Sequence, residues 1–558
     1  MREGDTTLTT DRRSFLKAAG LAAGTAAGAF VGGGLLRPGA ARASNFWQQL
    51  EYEILVPEIF RPLPTAPATI DALVIGTGFG ASATALRLGQ AGIKTAMLER
   101  GSWWPHDPRR YIFSVDWLPD GRGYWHRTSA TALTGFNYSF DNFGGVFDVT
   151  SFNGIDVWRG ALVGGGSQVY TGVWIQPPRP YFEEIFAGTG VNYTDMVTNW
   201  YPKAAAMTGV STMPTDIYNS APWTHARQWD AAVAKAGYTS SPLLGNWNWN
   251  TARMELAGLS SPSVIQGLSN LGNSNGAKAD LTQNYIPAAQ ATGNVSIYPG
   301  HQVLSISASS QNGPYTVAYQ KLSPNGNILA SGTVTANKLF ICAGSVGSSE
   351  LLVKAAATGG LPNLNEQVGQ GWGDNGDSAC VASFATVPFV QQGAASASTI
   401  LDSSSTDMPV RLESWYVPGL PVSATILGCL GMAYDRETRG SFSYVPSSDT
   451  VTLNWPNNGN QAVTNATRVV HNKMVAAGGG LPGAEPFNTD IITNFTAHPL
   501  GGVVIGQATD SYGRVNGYKG LYVNDGALIP GSAGTANPSW TITALAERNI
   551  AQIIAAGH

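Results

Sequence analysis

Apolar and polar positions follow two rhythms along this chain. At 73–101 a short apolar run, Leu73-Val74-Ile75, reads as a buried parallel strand. A glycine-rich turn follows, then helical spacing over 81–91, a stop at Gly92 and a second strand at 95–98. This is a βαβ unit. The run 338–342 with Gly344 predicts another buried strand ending in a glycine turn, and 347–357 a helix, a second βα unit on the same sheet. Residues 181–208 and 226–237 read as helical, and 295–306 and 315–321 as extended, with Asn325-Gly326 as a turn. From 376 to 490 the rhythm changes: 422–433, and 441–445 with 450–455, predict antiparallel strands. From about 495 the α/β grammar returns, with strand and turn at 521–526 and a helix over 541–555. Pro538 suits that helix's first turn, where a missing N–H costs nothing.

These rhythms predict an α/β fold in two domains after a leader. A Rossmann-like dinucleotide domain is built from 44–375 and 495–558, and 376–494 forms an α+β substrate domain carrying an antiparallel sheet. Residues 103–157, rich in Trp, Tyr, Phe, Asn and Gly, have little periodicity. They read either as lid-like loops over the site or as a satellite cluster on the core.

Composition narrows the class. Charged residues are only 12% of 558, with 67 Gly and 16 Trp, and the net charge is −4, so no nucleic-acid partner is expected. Residues 1–43 read as a twin-arginine signal peptide: Arg12-Arg13 precede a Gly/Ala-rich apolar run and Ala41-Arg42-Ala43. An uncleaved anchor is the alternative. Removing this segment takes out six of 32 basic and three of 36 acidic residues, leaving 26 against 33 and a charge of −7. The expected product is a secreted, soluble, acidic protein. Cys342, Cys380 and Cys429 are too few and scattered for a disulfide framework or a zinc site and read as buried, inert thiols; no metal is expected.

The candidate chemistry begins in the first turn. Gly76, Gly78 and Ala81 match G-x-G-x-x-G/A, with Phe79 and Gly80 between them, so backbone amides and a helix N-terminus can approach a pyrophosphate. Glu99, 23 residues after Gly76, stands where a carboxylate accepts from a ribose 2′-OH. Gly160 and Gly164-Gly165-Gly166-Ser167 allow close approach to an anion or a flat ring, or form a flexible turn.

The βαβ unit, Gly164 to Ser167, 339–352 (LFICAGSVGSSELL), 361–365 (LPNLN), 498–502 (HPLGG) and 522–549 come in one order. In that order the chain resembles the glucose-methanol-choline (GMC) flavin oxidoreductases, and among them the secreted bacterial cholesterol oxidases that hold FAD non-covalently. The resemblance implies a GMC-type FAD-binding domain. It also implies His498 as the histidine beside the flavin, Asn537 as its polar partner, and Asp525-Gly526 at the phosphate-ribityl region. The helix after Pro538 would point its positive end at the flavin. Glu413 aligns, by its spacing to Pro418, with the sterol oxidases' base for double-bond migration. Two departures stand near the flavin: Val503 where the family has Cys, and Tyr170-Thr171-Gly172-Val173 where it has Asn-Gly-Gly-Met.

Each side chain has a bland alternative. A lone histidine is more often structural, Asn537 is well placed as a helix N-cap, and the alternative for Glu413 is an exposed strand carboxylate. The resemblance implies a sterol or other apolar secondary alcohol as substrate, O2 as oxidant and a 5-ene to 4-ene isomerisation. It also implies a monomer with transient contact at a membrane surface. A GMC enzyme for another secondary alcohol, without isomerisation, is the alternative.

Overall fold

A computed structural model describes residues 45–131, 137–484, 487 and 489–557. Residues 51–558 form one compact unit. The signal read at 1–43, and 132–136 of the loops, lie outside the described residues.

The first sheet is organised on Thr69–Ile75, whose last four residues are buried on both faces. It runs parallel to Thr95–Leu98 on one side and to the end of Ile328–Ile341 on the other, with Leu73 opposite Leu339 and Ile75 opposite Ile341. Val295–Tyr298 extends one edge in parallel, and Leu521–Val523 adds, also in parallel, to Leu339–Ile341. The 14-residue strand Ile328–Ile341 has two halves. Its exposed first half pairs antiparallel with Tyr315–Leu322, and its buried second half belongs to the parallel core. Strands His301–Ala308 and Val295–Tyr298 are separate, turning at Gly300, where one extended run was expected.

Helix Phe79–Gln90 covers this sheet beside the last helix, Ser539–Ala555. Small residues let them approach, and Arg87 clasps Glu547 with two charge-assisted bonds, Nε to Oε2 at 2.7 Å and an Nη to Oε1 at 2.6 Å. Tyr285 donates to the same carboxylate at 2.9 Å. The chain's two ends of α/β character are thereby one packed layer.

The second sheet is antiparallel. Its order is Leu481–Pro482, Asp377–Ser383, Ile426–Ala433, Val410–Trp415, Ser398–Asp402 and Ser241–Pro242. Helices Thr224–Lys235 and Gln461–Gly478 bury one face, packing on Cys380, Leu412, Leu427 and Cys429. The other face carries Asp377, Glu413, Trp415 and Leu430, residues of opposite pleat. Both faces are buried, so the alternation in sequence is imperfect. Cys380 and Cys429 stand directly opposite one another as free thiols, a pairing that their distance along the chain concealed.

In the loops at 103–157, Trp104, Ile112, Phe113, Phe143, Val146 and Phe147 form their own apolar cluster with Tyr52, Val56 and Ile59. Beside it, Ser129–Thr131 pairs antiparallel with Asn137–Ser139, and Phe147–Phe152 with Ile155–Gly160.

Candidate active site

A cavity of about 660 Å³ runs from the first glycine turn to His498 and Asn537. Its two ends are built differently.

At the dinucleotide end the wall is main chain. Gly76 has φ +97°, and a Cβ there would meet Cys342 O at 2.3 Å; one on Gly80 would meet Asn524 O at 1.8 Å. Gly78 has nothing within 4 Å of its would-be Cβ and borders the cavity, so a side chain there would fill the space a pyrophosphate needs. The turn at 160–166 packs against it: a Cβ on Gly165 would lie 2.9 Å from Gly78 Cα. Thr77 Oγ1 joins the pieces, donating to Glu99 Oε2 at 2.7 Å and accepting from Gly164 N at 3.1 Å. Glu99 Oε1 accepts from Gly101 N at 3.0 Å. Burial raises this carboxyl above its usual range, against those bonds. Each oxygen keeps a lone pair for a ribose hydroxyl.

Of the residues singled out in sequence, Gly76, Gly78, Phe79, Gly80, Glu99, Gly160, Gly165, Gly166, Asp525, Gly526, Asn537 and Pro538 line this cavity. Ala81, Gly164 and Ser167 stand behind its wall. Ala81 faces the helix's buried side, and Ser167 Oγ is occupied, donating to Gly164 O at 2.7 Å and accepting from Leu281 N at 3.2 Å. The Asp525 carboxylate is likewise engaged, accepting from Gly344 N and Ala527 N at 2.8 Å and from Ser348 Oγ at 2.5 Å. Burial lifts its pKa to about 6. It shapes the cavity rather than facing a phosphate with its charge.

The opposite end is built of side chains. His498 Nδ1 lies 2.8 Å from Asp377 Oδ1, and Asp377 Oδ2 accepts from Ala497 N at 2.9 Å and Thr496 Oγ1 at 3.0 Å. The carboxylate therefore fixes Nδ1–H as donor and leaves Nε2 as acceptor. Burial opposes charge on this ring, yet Asp377 outweighs it and the pKa is raised.

Asn537 lines the cavity with an Oδ1 that has no hydrogen-bond partner among the described residues. It is not a helix cap: Pro538 precedes the helix, and no side chain caps it. Glu413 is wholly buried, with both oxygens unpartnered. Burial pushes its pKa up to about 7, while Arg411 and His498 pull it down and Asp377 pushes it up. Asn537 lies near enough to lower it slightly without reaching hydrogen-bond geometry. His498, Asn537 and Glu413 are thus gathered at one place, 124 residues of chain separating the last two. Asp377 was missed. Its only signal is an acidic residue closing the glycine-rich turn 371–377 (GWGDNGD) at a strand start. Arg411, on Glu413's strand face, was missed as well.

Models of the two parts of the GMC oxidoreductase family match residues 71–372 and 446–546. Cholesterol oxidase from Mycobacterium tuberculosis is 26% identical over 571 aligned residues, covering 86% of this chain and 90% of its own. That from Acinetobacter baumannii is 24% identical, covering 87% and 94%. Among solved structures, pyridoxine 4-oxidase from Mesorbium loti superposes with TM-score 0.60 at 16% identity, over 87% of this chain and 99% of its own. An FAD-dependent oxidoreductase from Chaetomium thermophilum does so at 0.58 and 15%, over 88% and 99%. The glycine cradle, the open space at Gly78 and the family together identify the cofactor as FAD. The chain belongs to the GMC oxidoreductase family, the FAD-dependent alcohol oxidases.

Proposed function

We propose that this chain is an exported sterol oxidase, which converts a 3β-hydroxyl to a ketone while O2 becomes H2O2 and then moves the 5-ene double bond to the 4-position. Bound FAD supplies the hydride acceptor and the route of two electrons to O2. His498, its Nδ1–H held by Asp377, takes the hydroxyl proton at Nε2, and Asp377 balances the imidazolium that forms. Asn537 steadies the oxygen through its amide. The oxidised sterol has acidic C4 protons; a base that takes one and returns it at C6 conjugates the ketone. Glu413 carries this reading: a buried carboxyl with free oxygens and a pKa of about 7, grouped with His498 and Asn537, can both accept and give a proton. The likeness to the two bacterial cholesterol oxidases supports the sterol.

A second reading, oxidation of another secondary alcohol without isomerisation, draws on one observation: Glu413 does not itself line the cavity. The test uses enzyme recovered from the culture medium, which the twin-arginine pattern leads us to expect, and cholesterol as substrate. Glu413→Gln should still produce peroxide but release the unconjugated 5-en-3-one, seen as loss of the near-ultraviolet absorbance of the conjugated product. Unchanged conjugated product would remove Glu413 from the reaction. Wild-type enzyme inactive on sterols would leave the second reading.

A further inference from the structure

Behind the His498 end lies a second cavity of about 480 Å³. Phe147, Trp158, Asn270 and Phe495 line both cavities and form the partition between them. Trp158 stacks on Phe495 with ring centres 4.5 Å apart, and Phe147 meets Trp158 edge-on at 5.5 Å. This partition is tied to the reacting end, because strand Phe495–Thr496, which pairs with Asp156 and Val157, ends two residues before His498.

The first cavity runs from Glu99 to His498, and a dinucleotide held there would share its roughly 660 Å³ with the alcohol. The space beyond the partition is the natural continuation, and its chemistry is specific. Tyr124 and Phe487 add apolar wall, but Asp116 also faces it, 8% exposed, with neither oxygen in hydrogen-bond geometry with any described group. The cations around it are engaged elsewhere: the Lys278 ammonium donates to Tyr170 O at 2.6 Å and to Ser269 O at 2.8 Å, and Arg127, which lines the same cavity, donates to Val149 O at 2.6 Å. Burial lifts the Asp116 pKa to about 7 against the pull of Lys278, of the Leu271 and Asn270 amides and of the nearby Tyr416 hydroxyl, which is itself without a partner. A buried carboxyl left so is costly unless a ligand donates to it.

We propose that the second cavity receives the end of the alcohol remote from its reacting hydroxyl, and that Asp116 there recognises a hydrogen-bond donor, a second hydroxyl. The substrate class is an alcohol with an apolar body and a hydroxyl at each end. This rests on the alcohol-oxidase reading but not on the sterol or the isomerisation. A purely alkyl end would leave Asp116 unmet.

The test compares cholesterol with a cholesterol hydroxylated at the end of its side chain, on the FAD-loaded enzyme, by calorimetric binding and by kcat/KM. Wild type should favour the hydroxylated sterol by about tenfold, as for a hydrogen bond to a buried carboxyl that would otherwise go unmet. Asp116→Leu should abolish that preference, and Asp116→Asn, which keeps the shape and one acceptor, should retain part of it. Equal binding of the two sterols by wild type, or a preference that survives in Asp116→Leu, would overturn the proposal. If Asp116→Leu does not fold, Asp116→Asn decides: an undiminished preference overturns it. Preferential binding without turnover would sink the sterol function and leave the cavity's role standing.

Discussion

The two ends of the main cavity recognise their ligands by opposite means. The dinucleotide end is made by taking side chains away, at Gly76, Gly78, Gly80, Gly165 and Gly166, so that main chain can touch main chain or cofactor. The alcohol end is made by burying ionisable groups, Asp377, Glu413 and His498, where water would otherwise level their pKa values. Sterics rules the first and electrostatics the second. At Gly76, Gly80 and Gly165 the first therefore tolerates no added atom, whereas the second tolerates a change of shape better than a change of charge.

The largest expected effect is steric. Gly80→Ala would drive a methyl to within 1.8 Å of Asn524 O, which is main chain and cannot rotate away. A loss of about 3 kcal/mol or more is expected, read as a collapse of soluble protein or of the melting temperature. Gly78→Ala makes the contrast. Its φ of −72° suits alanine and its Cβ meets nothing within 4 Å, so the fold should survive while FAD affinity falls about tenfold or more. Equal melting temperatures for the two variants would erase the distinction between a packing glycine and a ligand-facing one.

Next in size is His498→Ala. With the glycine end intact, the protein should stay yellow, and its reduction by substrate under anaerobic stopped flow should slow by ~10²-fold or more. Loss of FAD on this change would mean that the two ends are not separable.

The same contrast explains what the sequence could and could not say. The glycine end is local: strand, turn and helix sit within 30 residues, and the expected helix at 81–91 is found at Phe79–Gln90. The helical reading over 181–208 was too long because Gly188 and Gly190, both at positive φ, break it into Arg179–Ile185 and a second helical stretch from Tyr193. The alcohol end is non-local. Asp377 and His498 are 121 residues apart, and nothing in either neighbourhood announces the other. His498, Asn537 and Glu413 were legible only through family resemblance, and Asp377 and Asp116 through neither route. Likewise helix Thr224–Lys235 and strand Ser241–Pro242 join the antiparallel layer although they precede it by more than a hundred residues, a placement set by tertiary packing alone.

The smallest expected effect tests the electrostatic end most directly. Asp377→Asn keeps an oxygen that can accept from His498 Nδ1–H, so the ring's orientation and tautomer should survive; what goes is the negative charge. That charge holds the His498 pKa above its ordinary value of 6.5 against the effect of burial, and it also raises Glu413. Proton removal from the alcohol needs the neutral imidazole, so the wild-type rate should fall as pH drops through the raised pKa. Without the charge both groups titrate lower, and the acid limb of flavin reduction should move to lower pH, not higher. The plateau above it should drop by roughly tenfold, because the imidazolium formed in the step loses its counter-charge. Thr496 Oγ1 and Ala497 N also donate to this carboxylate, and a merely structural role makes a different forecast: a lower plateau with an unmoved limb. The pH profile thus separates a carboxylate that tunes His498 from one that only props up its loop.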